Sequence, residues 1–565
     1  MSMSNISTKG GDNNYYGTLR TEVLSLVPAY ARKILDVGCG DGTLGQAIKA
    51  RQPSTVDGVE ISEKAGAVAA NRLDKVWINS IEEAIEFIPN DAYDCIVCAD
   101  VLEHLQNPWI ALKRLSEKIT PDGTIIISVP NISHWSIIDG LNKGKWDYRT
   151  SGILDVTHLR FFTRDSMKEL LWNADLKILE SFDRTIKPKS SRTKTEDPNK
   201  KNSDSDVYQF LTKSQRITLR YQPSVLIIIL NWNGGADTCD CLRSLANINY
   251  KNHRTLVIDN ASTDNSIELI KRDFPDTEII RNDQNFGYAG GNNVGITIGL
   301  NNSFDYILLL NNDTVVDANF LEPLVKAMEA APNISASQPK IFYHGEPNIL
   351  WCTGASFDRD ALDFTLDNNK TIDCGDSFER ITEIEICVGA AILLRSSVIR
   401  EVGVLDRDFY LMHEESDWCF RARKKGYSCI VVPKSKIWHK VSASLGEASP
   451  LMTYFSTRNL LCWVKRHVGY ISWACLFYRT IRAAFLLPSA KYIIFGSSKE
   501  GSRHIKNMYW RLSTSIRKML ASSSDPMSIA RRQAIYDYCR NRFGNCPDHV
   551  RELNKSRRPT VTPLL

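Results

Sequence analysis

The stretch DVGCGDG, Asp36–Gly42, directly follows the apolar pair Ile34-Leu35 and decides the fold expected for the first half of the chain. Its glycines occupy alternate positions: Gly38, Gly40 and Gly42. Glycine permits positive φ and lets a backbone approach a ligand closely. The helix predicted next, over residues 43–50, points free amide groups at the same turn, where a ligand carboxylate could bind. The stretch therefore predicts a strand–turn–helix unit that binds a ligand through its backbone.

Short apolar runs alternate with helical stretches around this turn, which is typical of a doubly wound parallel sheet. The strands predicted for this half are Lys33–Val37, Val56–Glu60, Tyr93–Cys98 and Thr124–Val129. Glu60 ends the second strand, where a carboxylate can accept both hydroxyls of a ribose. Asp100 follows the third strand, at the carboxyl edge where open sheets bind ligands.

The pattern Asp-x-Gly-x-Gly-x-Gly, without Gly-x-Gly-x-x-Gly, argues against a nicotinamide site. From about Tyr15 to Ser181 the chain resembles the class I S-adenosylmethionine-dependent methyltransferases, and Gly152–Thr163 resembles a late motif of a small-molecule branch of that family. The resemblance implies S-adenosylmethionine as the cofactor. The residues expected to contact this cofactor are Asp36, Gly38, Gly40, Gly42, Glu60 and Asp100.

Methyl transfer to a hydroxyl needs alignment and is helped by a base, and an imidazole titrates in a suitable range. His158 is the first candidate for this base and His134 is the second. A hydrogen-bonded structural role is the alternative for each of them. Asn79 and Ser80 stand where the family often has an acidic contact to adenine.

A second α/β pattern begins at Val225. Its predicted strands are Val225–Leu230, Thr255–Ile258, Glu278–Ile280 and Tyr306–Leu310. Polar side chains at strand ends can contact a base and a ribose, and the glycine- and amide-rich loop Asn285–Asn293 could approach a nucleotide closely. The residues expected to contact a nucleotide sugar are Asn231, Asp259, Asn260, Asn285, Gly287, Asn292 and Asn312.

Asp313 ends the triplet Asn311-Asn312-Asp313 after a strongly apolar strand. A carboxylate in that place can hold Mg²⁺ or Mn²⁺, which bridges diphosphate oxygens, and His439 offers a late second ligand. Glu414 and Glu415 lie at a predicted helix start. One of them can be a capping carboxylate, and the other can take the proton of an attacking sugar hydroxyl.

Together these motifs resemble the family 2 glycosyltransferases, most closely the rhamnosyltransferase-like branch. The resemblance covers about Pro223 to Gly446 and extends more weakly through Tyr454–Asn459. It implies a GT-A fold, a nucleotide-sugar donor and inversion of the anomeric centre by direct displacement. It also implies Glu415 as the base, in a family that usually has Glu-Asp where this chain has two glutamates.

The expected architecture is α/β, with two tandem doubly wound domains, Rossmann-like and then GT-A-type, and a helical C-terminal region. The expected segments are a methyltransferase domain at 15–185, a polar linker at 186–222, a glycosyltransferase domain at 223–446 and its helical extension at 447–565. The linker is inferred from Lys187–Lys201, which contains no apolar residue and cannot bury enough surface to offset the entropy of ordering.

The 565 residues carry 70 basic and 65 acidic side chains, a net charge of +5, which does not point to a nucleic-acid partner. The polar N-terminus lacks the apolar region of a secretory signal, so a cytoplasmic location is expected. The aromatic segment Gly469–Gly496 is interrupted by Arg and Lys. It is expected either to pack on the second domain or to lie peripherally on the inner face of the cell membrane.

The leading hypothesis is a bifunctional transferase that adds a sugar to a surface glycan and methylates a sugar hydroxyl. A lipid-linked glycan is one candidate acceptor. One alternative keeps the sugar transfer but makes the first domain a non-catalytic binding or docking module. Another alternative makes the whole chain an assembly scaffold.

Overall fold

The computed structural model describes residues 19–186, 204–219, 222–375, 379–441, 449–485 and 525–555 of the chain. The chain divides into two compact units at about residue 220. Each unit has its own sheet and its own apolar core. The predicted tandem α/β architecture is therefore confirmed.

The first unit alternates strands and helices as its sequence predicts. Its strands are β1 (Lys33–Val37), β2 (Thr55–Glu60), β3 (Lys75–Ile78), β4 (Tyr93–Ala99), β5 (Ile119–Pro130), β6 (Leu176–Thr185) and β7 (Val207–Arg216). Its helices are α1 (Thr21–Leu26), α2 (Thr43–Arg51), α3 (Glu63–Ala69), α4 (Ile81–Ala84), α5 (Pro108–Ser116), α6 (Trp135–Asn142) and α7 (Arg164–Asn173).

These strands form one sheet in the order β3-β2-β1-β4-β5-β7-β6, in which β1 to β5 are parallel. The chain moves outward from β1 to β3 and then crosses back to β4, so the strand order reverses between β1 and β4. Open α/β sheets bind ligands at this point, beyond the carboxyl ends of the strands. Val37 is paired with Val59 on one side and with Cys98 on the other, which brings the ends of all three strands to one edge.

The predicted polar linker is wrong over its second part, because β7 lies inside residues 186–222. This strand pairs antiparallel with β5 on one side and with β6 on the other. Val207, Phe210 and Leu211 are buried in the core of the first unit. The linker prediction rests on a charged stretch whose residues 187–203 lie outside the described residues. Composition indicates that such a stretch is polar but does not show where it ends. The apolar side chains of β7 become buried only when the strand pairs within the sheet.

The second unit has a larger mixed sheet. Its strands are β8 (Val225–Asn231), β9 (His253–Asp259), β10 (Glu278–Arg281), β11 (Tyr306–Asn311), β12 (Thr314–Val316), β13 (Ile334–Tyr343), β14 (Glu346–Cys352), β15 (Ala355–Asp358), β16 (Asp363–Leu366), β17 (Thr382–Ile384), β18 (Ala391–Arg395) and β19 (Ser428–His439). Its helices are α8 (Gly235–Leu245), α9 (Ser266–Asp273), α10 (Gly287–Asn301), α11 (Leu321–Glu329), α12 (Ser396–Val402), α13 (Glu414–Lys424), α14 (Pro450–His467), α15 (Tyr470–Phe485), α16 (Pro526–Cys539) and α17 (Asp548–Lys555).

The main strand order is β10-β9-β8-β11-β18-β13-β19-β12. The first four strands are parallel, as expected for a nucleotide-binding half, and β18 joins β11 antiparallel. The register of β8, β9 and β11 brings Asn231, Asp259 and Asn311 to one edge of the sheet. Polar residues that follow these strands are therefore gathered at the edge where a ligand is expected.

The described part of the C-terminal region is helical, as predicted. Trp463 of α14 is fully buried, and its ring lies 4.6 Å from those of Phe357 and Phe420. Helix α15 buries Leu476 but leaves Ile471 85% exposed, so one of its faces packs on the unit and another faces solvent. Residues 486–496 of the predicted aromatic segment lie outside the described residues. Within the described part of the chain, no helix has the length and apolar character needed to span a bilayer.

Candidate active sites

A cavity of about 830 Å³ opens at the carboxyl edge of the first sheet. Its lining contains five of the six residues predicted to contact the cofactor: Asp36, Gly38, Gly40, Glu60 and Asp100. Gly42 is the sixth, and it lies behind the turn, where an added Cβ would be 3.1 Å from Cα of Ala69. Asn79, Ser80 and His158 also line the cavity. The switch point between β1 and β4 therefore carries a ligand-sized site.

The glycine turn depends on glycine for both conformation and space. Gly38 has a φ of +70°, and a Cβ there would lie 2.5 Å from Cγ2 of Val101. Gly40 has a φ of +56°, and its N–H donates to Oε2 of Glu60 at 2.9 Å. Because side chains are excluded here, the backbone itself forms the wall that a ligand would touch.

Two buried carboxylates stand at the base of this turn. Glu60 accepts hydrogen bonds from Gly40 and, at 2.9 Å, from the N–H of Ser62, so it fastens the turn to the end of β2. Asp36 is 3% exposed, and its Oδ2 has no hydrogen-bond partner among the described residues. Burial and the nearby charge of Glu60 raise the pKa of Asp36 to about 7. A buried acceptor without a donor is costly, so a bound molecule with a donor or a positive charge would satisfy it.

Asp100 follows β4 in the left-handed conformation, with a φ of +58°. Its carboxylate forms an ion pair with Arg20 and accepts hydrogen bonds from Gln209 and, at 2.9 Å, from Oγ of Ser128. Arg20 and Gln209 also line the cavity. The sequence did not indicate either residue, and Gln209 belongs to the strand that was predicted to be linker.

The candidate base His158 has one ring nitrogen committed and one available. Its Nδ1 lies 2.9 Å from the carbonyl oxygen of Ile153, and since a carbonyl only accepts, Nδ1 carries the proton and Nε2 the lone pair. His104 is arranged in the same way against the carbonyl of Thr157, and the two imidazole centroids are 4.8 Å apart. Burial and the neighbouring His158 lower the pKa of His104.

The ligand atoms of Glu103, His104 and His158 lie within 4.8 Å of one another, so the three side chains could hold a divalent cation. Oε2 of Glu103 has no partner in the described part of the chain, and burial raises the pKa of this carboxyl to about 8. His134, the second predicted base, has both ring nitrogens engaged, by Oγ of Ser136 at 2.8 Å and by the carbonyl of Ile186 at 3.0 Å. Because both of its nitrogens are bound to protein groups, His134 fits a structural role better than the role of a base.

The second unit gathers amide and carboxylate side chains at the ends of β8 and β9. Asn231 and Asp259 are both fully buried, and Nδ2 of Asn231 donates to Oδ1 of Asp259 at 2.9 Å. Ser262 donates its N–H to the other carboxylate oxygen at 3.1 Å. These two predicted nucleotide contacts therefore hold the strand ends together, and their contact with a nucleotide stays a prediction.

The amides predicted to contact the nucleotide from the loop before α10 and from nearby positions also bond to other protein groups. Nδ2 of Asn260 donates to Oδ1 of Asn285 at 2.8 Å and to the carbonyl of Gly287 at 3.0 Å. Asn292 donates to the carbonyl of Tyr288 at 3.0 Å, and Asn312 donates to Oγ1 of Thr238 at 3.2 Å. Asn260 therefore holds the loop, whereas Asn292 bonds within α10 and Asn312 bonds α8, and the contact of these amides with a nucleotide stays a prediction.

The predicted metal ligands are adjacent. Oδ1 of Asp313 lies 3.0 Å from Nε2 of His439, because β12 and β19 pair with Thr314 opposite His439. Two adjacent ligands at about 2.1 Å from an octahedral cation are separated by about 3.0 Å, so the separation of these two atoms is compatible with a Mg²⁺ or Mn²⁺ site. The ring of Trp351 packs edge-on against His439, with centroids 4.6 Å apart.

Glu414 and Glu415 form the first turn of α13, as predicted. Each has an Oε2 without a hydrogen-bond partner among the described residues, and burial raises the pKa of both carboxyls. Glu415 accepts the N–H of Gly389, whose carbonyl accepts the hydroxyl of Tyr288 at 2.5 Å. Burial and the charges of Glu415, Glu414 and Asp313 raise the pKa of Tyr288, so this tyrosine, which the sequence did not indicate, lies close to both the metal and the base candidates.

Two family models match the chain. The one described as a methyltransferase domain covers residues 13–181, and the one described as glycosyl transferase family 2 covers residues 224–403. The Ubiquinone biosynthesis O-methyltransferase of Coxiella burnetii is 35% identical over 104 residues, which are 18% of this chain and 44% of that protein. The chain thus spans less than half the length of this relative.

Two solved structures are similar to parts of the chain. GalNAc-T7 with UDP, GalNAc and Mn²⁺ is 16% identical, with a TM-score of 0.38 over 47% of this chain and 52% of that one. The mannosyltransferase PcManGT of Pyrobaculum calidifontis, in complex with GDP-Man and Mn²⁺, is 13% identical, with a TM-score of 0.35 over 57% of this chain and 88% of that one.

The first match includes the strand ends that carry Asp36, Glu60 and Asp100. The second includes those that carry Asn231, Asp259 and Asp313, whereas Glu414, Glu415 and His439 lie beyond its end. The chain therefore combines a methyltransferase domain with a family 2 glycosyltransferase domain in one transferase polypeptide.

Proposed function

We propose that the chain is a bifunctional enzyme that transfers a sugar from a nucleotide-sugar donor to a glycan and methylates a sugar hydroxyl with S-adenosylmethionine. The two reactions use separate sites, since each unit has its own edge of buried carboxylates. The observation that carries sugar transfer is the Asp313–His439 pair in the same region as Glu414 and Glu415. The observation that carries methylation is the cavity in which Asp36 has an acceptor oxygen without a donor.

For sugar transfer, Asp313 and His439 would hold a divalent cation, which neutralises charge on the diphosphate leaving group. Glu415 is the proposed base, held by the N–H of Gly389. It takes the proton of the acceptor hydroxyl while that oxygen bonds to the anomeric carbon and the nucleoside diphosphate leaves from the opposite face. This displacement inverts the anomeric centre, and a single base is sufficient for it.

For methylation, the cavity would hold S-adenosylmethionine, which supplies the methyl group. The backbone at Gly38 and Gly40 permits the close approach that such a molecule needs, and the carboxylate of Asp36 can pair with one of its positive groups. Nε2 of His158 is placed to take the proton of the acceptor hydroxyl, because Nδ1 is held by the carbonyl of Ile153.

We place the enzyme in the cytoplasm, peripherally at the inner face of the membrane, where a lipid-linked glycan would be the acceptor. The support for this location is the exposed face of α15, on which Tyr470 is 70% and Ile471 is 85% exposed. Cosedimentation with anionic vesicles tests it, with Ile471→Glu as the variant that should lose binding.

A product assay by mass spectrometry tests both activities together. The full chain is incubated with a panel of nucleotide sugars and glycan acceptors, with Mn²⁺, and with or without S-adenosylmethionine. We expect one glycosyl increment that depends on the donor, and one methyl increment that depends on S-adenosylmethionine. A glycosyl product with no binding of S-adenosylmethionine would show that the first unit is a docking module.

A further inference from the structure

Two neighbouring side chains of α14, Arg458 and Asn459, bind the loop that precedes the helix of the candidate base. This loop consists of residues 408–413 and ends where α13 begins, at Glu414. Arg458 and Asn459 are both fully buried. They lie beyond residues 224–403, the part of the chain that matches the glycosyl transferase family.

Asn459 binds three carbonyl oxygens of the 408–413 loop through one amide group. Its Nδ2 lies 2.8 Å from the oxygen of Phe409, 2.8 Å from that of Leu411 and 2.9 Å from that of Met412. The NH₂ group of an amide has only two N–H donors, so the three carbonyl oxygens share them. They can do so only because the loop directs all three toward the same nitrogen. The side chain therefore defines the curvature of the loop.

Arg458 completes the same arrangement. Its Nη2 donates to the carbonyl of Phe409 at 3.1 Å, and its Nη1 donates to that of Gly544 at 2.7 Å. Its Nε donates to Oδ1 of Asn459 at 3.0 Å, which turns the NH₂ group of Asn459 toward the loop. Since the guanidinium is a rigid planar fork, it fixes the orientation of the amide as well as the loop.

The 408–413 loop needs such support because its backbone is strained. Tyr410, Met412 and His413 have φ values of +61°, +72° and +74°, a left-handed conformation that bulky residues rarely adopt. His413 is also the residue from which α13 starts, and its carbonyl accepts the N–H of Asp417 at 2.9 Å. If the loop relaxed, the first turn of α13, with Glu414 and Glu415, would move with it.

The same loop contacts the donor side of the site. The carbonyl of Tyr410 accepts the N–H of Ala289 at 3.3 Å, and the hydroxyl of Tyr410 donates to the carbonyl of Asn285 at 3.3 Å. A Cβ on Gly287 would collide with Tyr410. One loop thus lies against the predicted nucleotide loop and also carries the base helix.

We infer that Arg458 and Asn459 are positioning residues for sugar transfer, which act by holding the 408–413 loop so that Glu415 faces the acceptor hydroxyl. The inference rests on the proposed glycosyltransferase function. Neither side chain needs to touch donor or acceptor. A small displacement of the base is sufficient to slow the reaction, since misplacement by about 1 Å can cost about 100-fold in rate.

The first test is Asn459→Ala in the full chain, with Thr457→Ala on the same helix as the matched control. We expect kcat of sugar transfer to fall about 100-fold, while KM of the donor changes little because Asn260 still holds the nucleotide loop. Methylation by the first unit should be unchanged in the same preparation, which controls for the amount of chain, and the folding of the second unit is checked separately by its thermal unfolding. Arg458→Lys, which keeps the charge but not the fork, should show the same kcat defect.

The second test is hydrogen exchange of the peptide that covers residues 405–420, which does not depend on activity. We expect faster exchange of this peptide in Asn459→Ala than in Thr457→Ala, with equal exchange of the β8 peptide in both variants. The thermal midpoint of the second unit should fall in Asn459→Ala, because buried carbonyls lose their donor. Unchanged exchange, or a rise in KM with kcat preserved, would overturn the inference. If the unaltered protein transfers no sugar, the proposed function fails, and the exchange result still decides whether the pair holds the loop.

Discussion

Oδ1 of Asp313 lies 3.0 Å from Nε2 of His439, although the two residues are far apart in the sequence. The contact is set by strand pairing, because Thr314 at the start of β12 stands opposite His439 at the end of β19. Both side chains are almost fully buried. A cation bound to both side chains would therefore be largely shielded from water on the protein side.

Asp313→Ala should lower sugar transfer by roughly 100-fold or more, since charge on the leaving diphosphate would lose its electrostatic partner. Methylation should be unaffected because it belongs to the other unit. Asp276→Ala removes an exposed carboxylate of the same unit and serves as the control. Initial rates with a radiolabelled donor check the prediction, and loss of both activities would contradict the independence of the two sites.

Gly38→Ala should destroy binding of S-adenosylmethionine, because its Cβ would lie 2.5 Å from Val101 and would require a strained φ. The expected loss of stability is about 1–3 kcal/mol. Gly144 has nearly the same φ, +69°, but no atom within 4 Å of its Cβ position, so Gly144→Ala separates strain from collision. Calorimetric titration with the cofactor measures the effect, and equal binding by both variants would rule out the turn as the site.

Asp36 makes stability of the cofactor-free protein depend on pH. Burial and Glu60 raise its pKa to about 7, above the value of an unfolded aspartate, so the folded state binds the extra proton and stability falls as pH rises from about 4 to about 7. Asp36→Asn removes this cost, at most ~4 kcal/mol, and should raise the thermal midpoint at pH 8 but not at pH 4. The same variant should bind S-adenosylmethionine more weakly. If the thermal midpoint of Asp36→Asn at pH 8 were lower than that of the unaltered protein, ionised Asp36 would not destabilise the fold, and the prediction would be wrong.

The sheet cores could be predicted because their central strands are rich in apolar residues. β8 is an apolar run that is buried almost throughout, and β1 buries Ile34, Leu35 and Val37, as is typical of central parallel strands. β7 was missed because it follows a charged stretch and alternates apolar with polar side chains in only part of its length. It inserts between the preceding strand, β6, and β5, which lies far away in sequence, and long-range pairing of the second kind leaves no local signal.

Residue type indicated candidate sites but not the role of each side chain. Asn231 and Asn260 follow strands at the expected edge, yet their amides are satisfied by other protein groups. Whether an amide faces a ligand or holds a loop depends on neighbours that a single sequence does not reveal. Tyr288 illustrates the reverse case, since nothing in its local sequence indicates that it lies near Glu415.

Asp417→Asn should destabilise the second unit. The carboxylate of Asp417 is fully buried and accepts hydrogen bonds from Arg421 at 2.7 Å and from Arg466 and His467 at 2.8 Å. Removing it leaves these donors without their anion, at a cost of about 3 kcal/mol.

The pH dependence of the same group gives a second measurement. The bonds to His467, Arg421 and Arg466 hold the pKa of Asp417 at about 2, so its contribution is complete above about pH 4 and is lost as pH falls toward 2. Thermal unfolding of the variant and the unaltered protein should therefore converge at low pH. A constant difference between pH 7 and pH 2.5 would contradict this assignment.

The extent of the first unit predicts how fragments of the chain behave. A fragment of residues 1–220 includes β7, whereas a fragment of residues 1–186 lacks it and leaves both β5 and β6 without the strand that pairs with them. An unpaired strand edge next to exposed core residues promotes aggregation, and Phe210 and Leu211 would no longer cover that core. We therefore expect the longer fragment to be monomeric and to bind S-adenosylmethionine, and the shorter one to aggregate. Size-exclusion chromatography and calorimetric titration distinguish the two, and a soluble, binding-competent 1–186 fragment would show that β7 is dispensable despite its pairing.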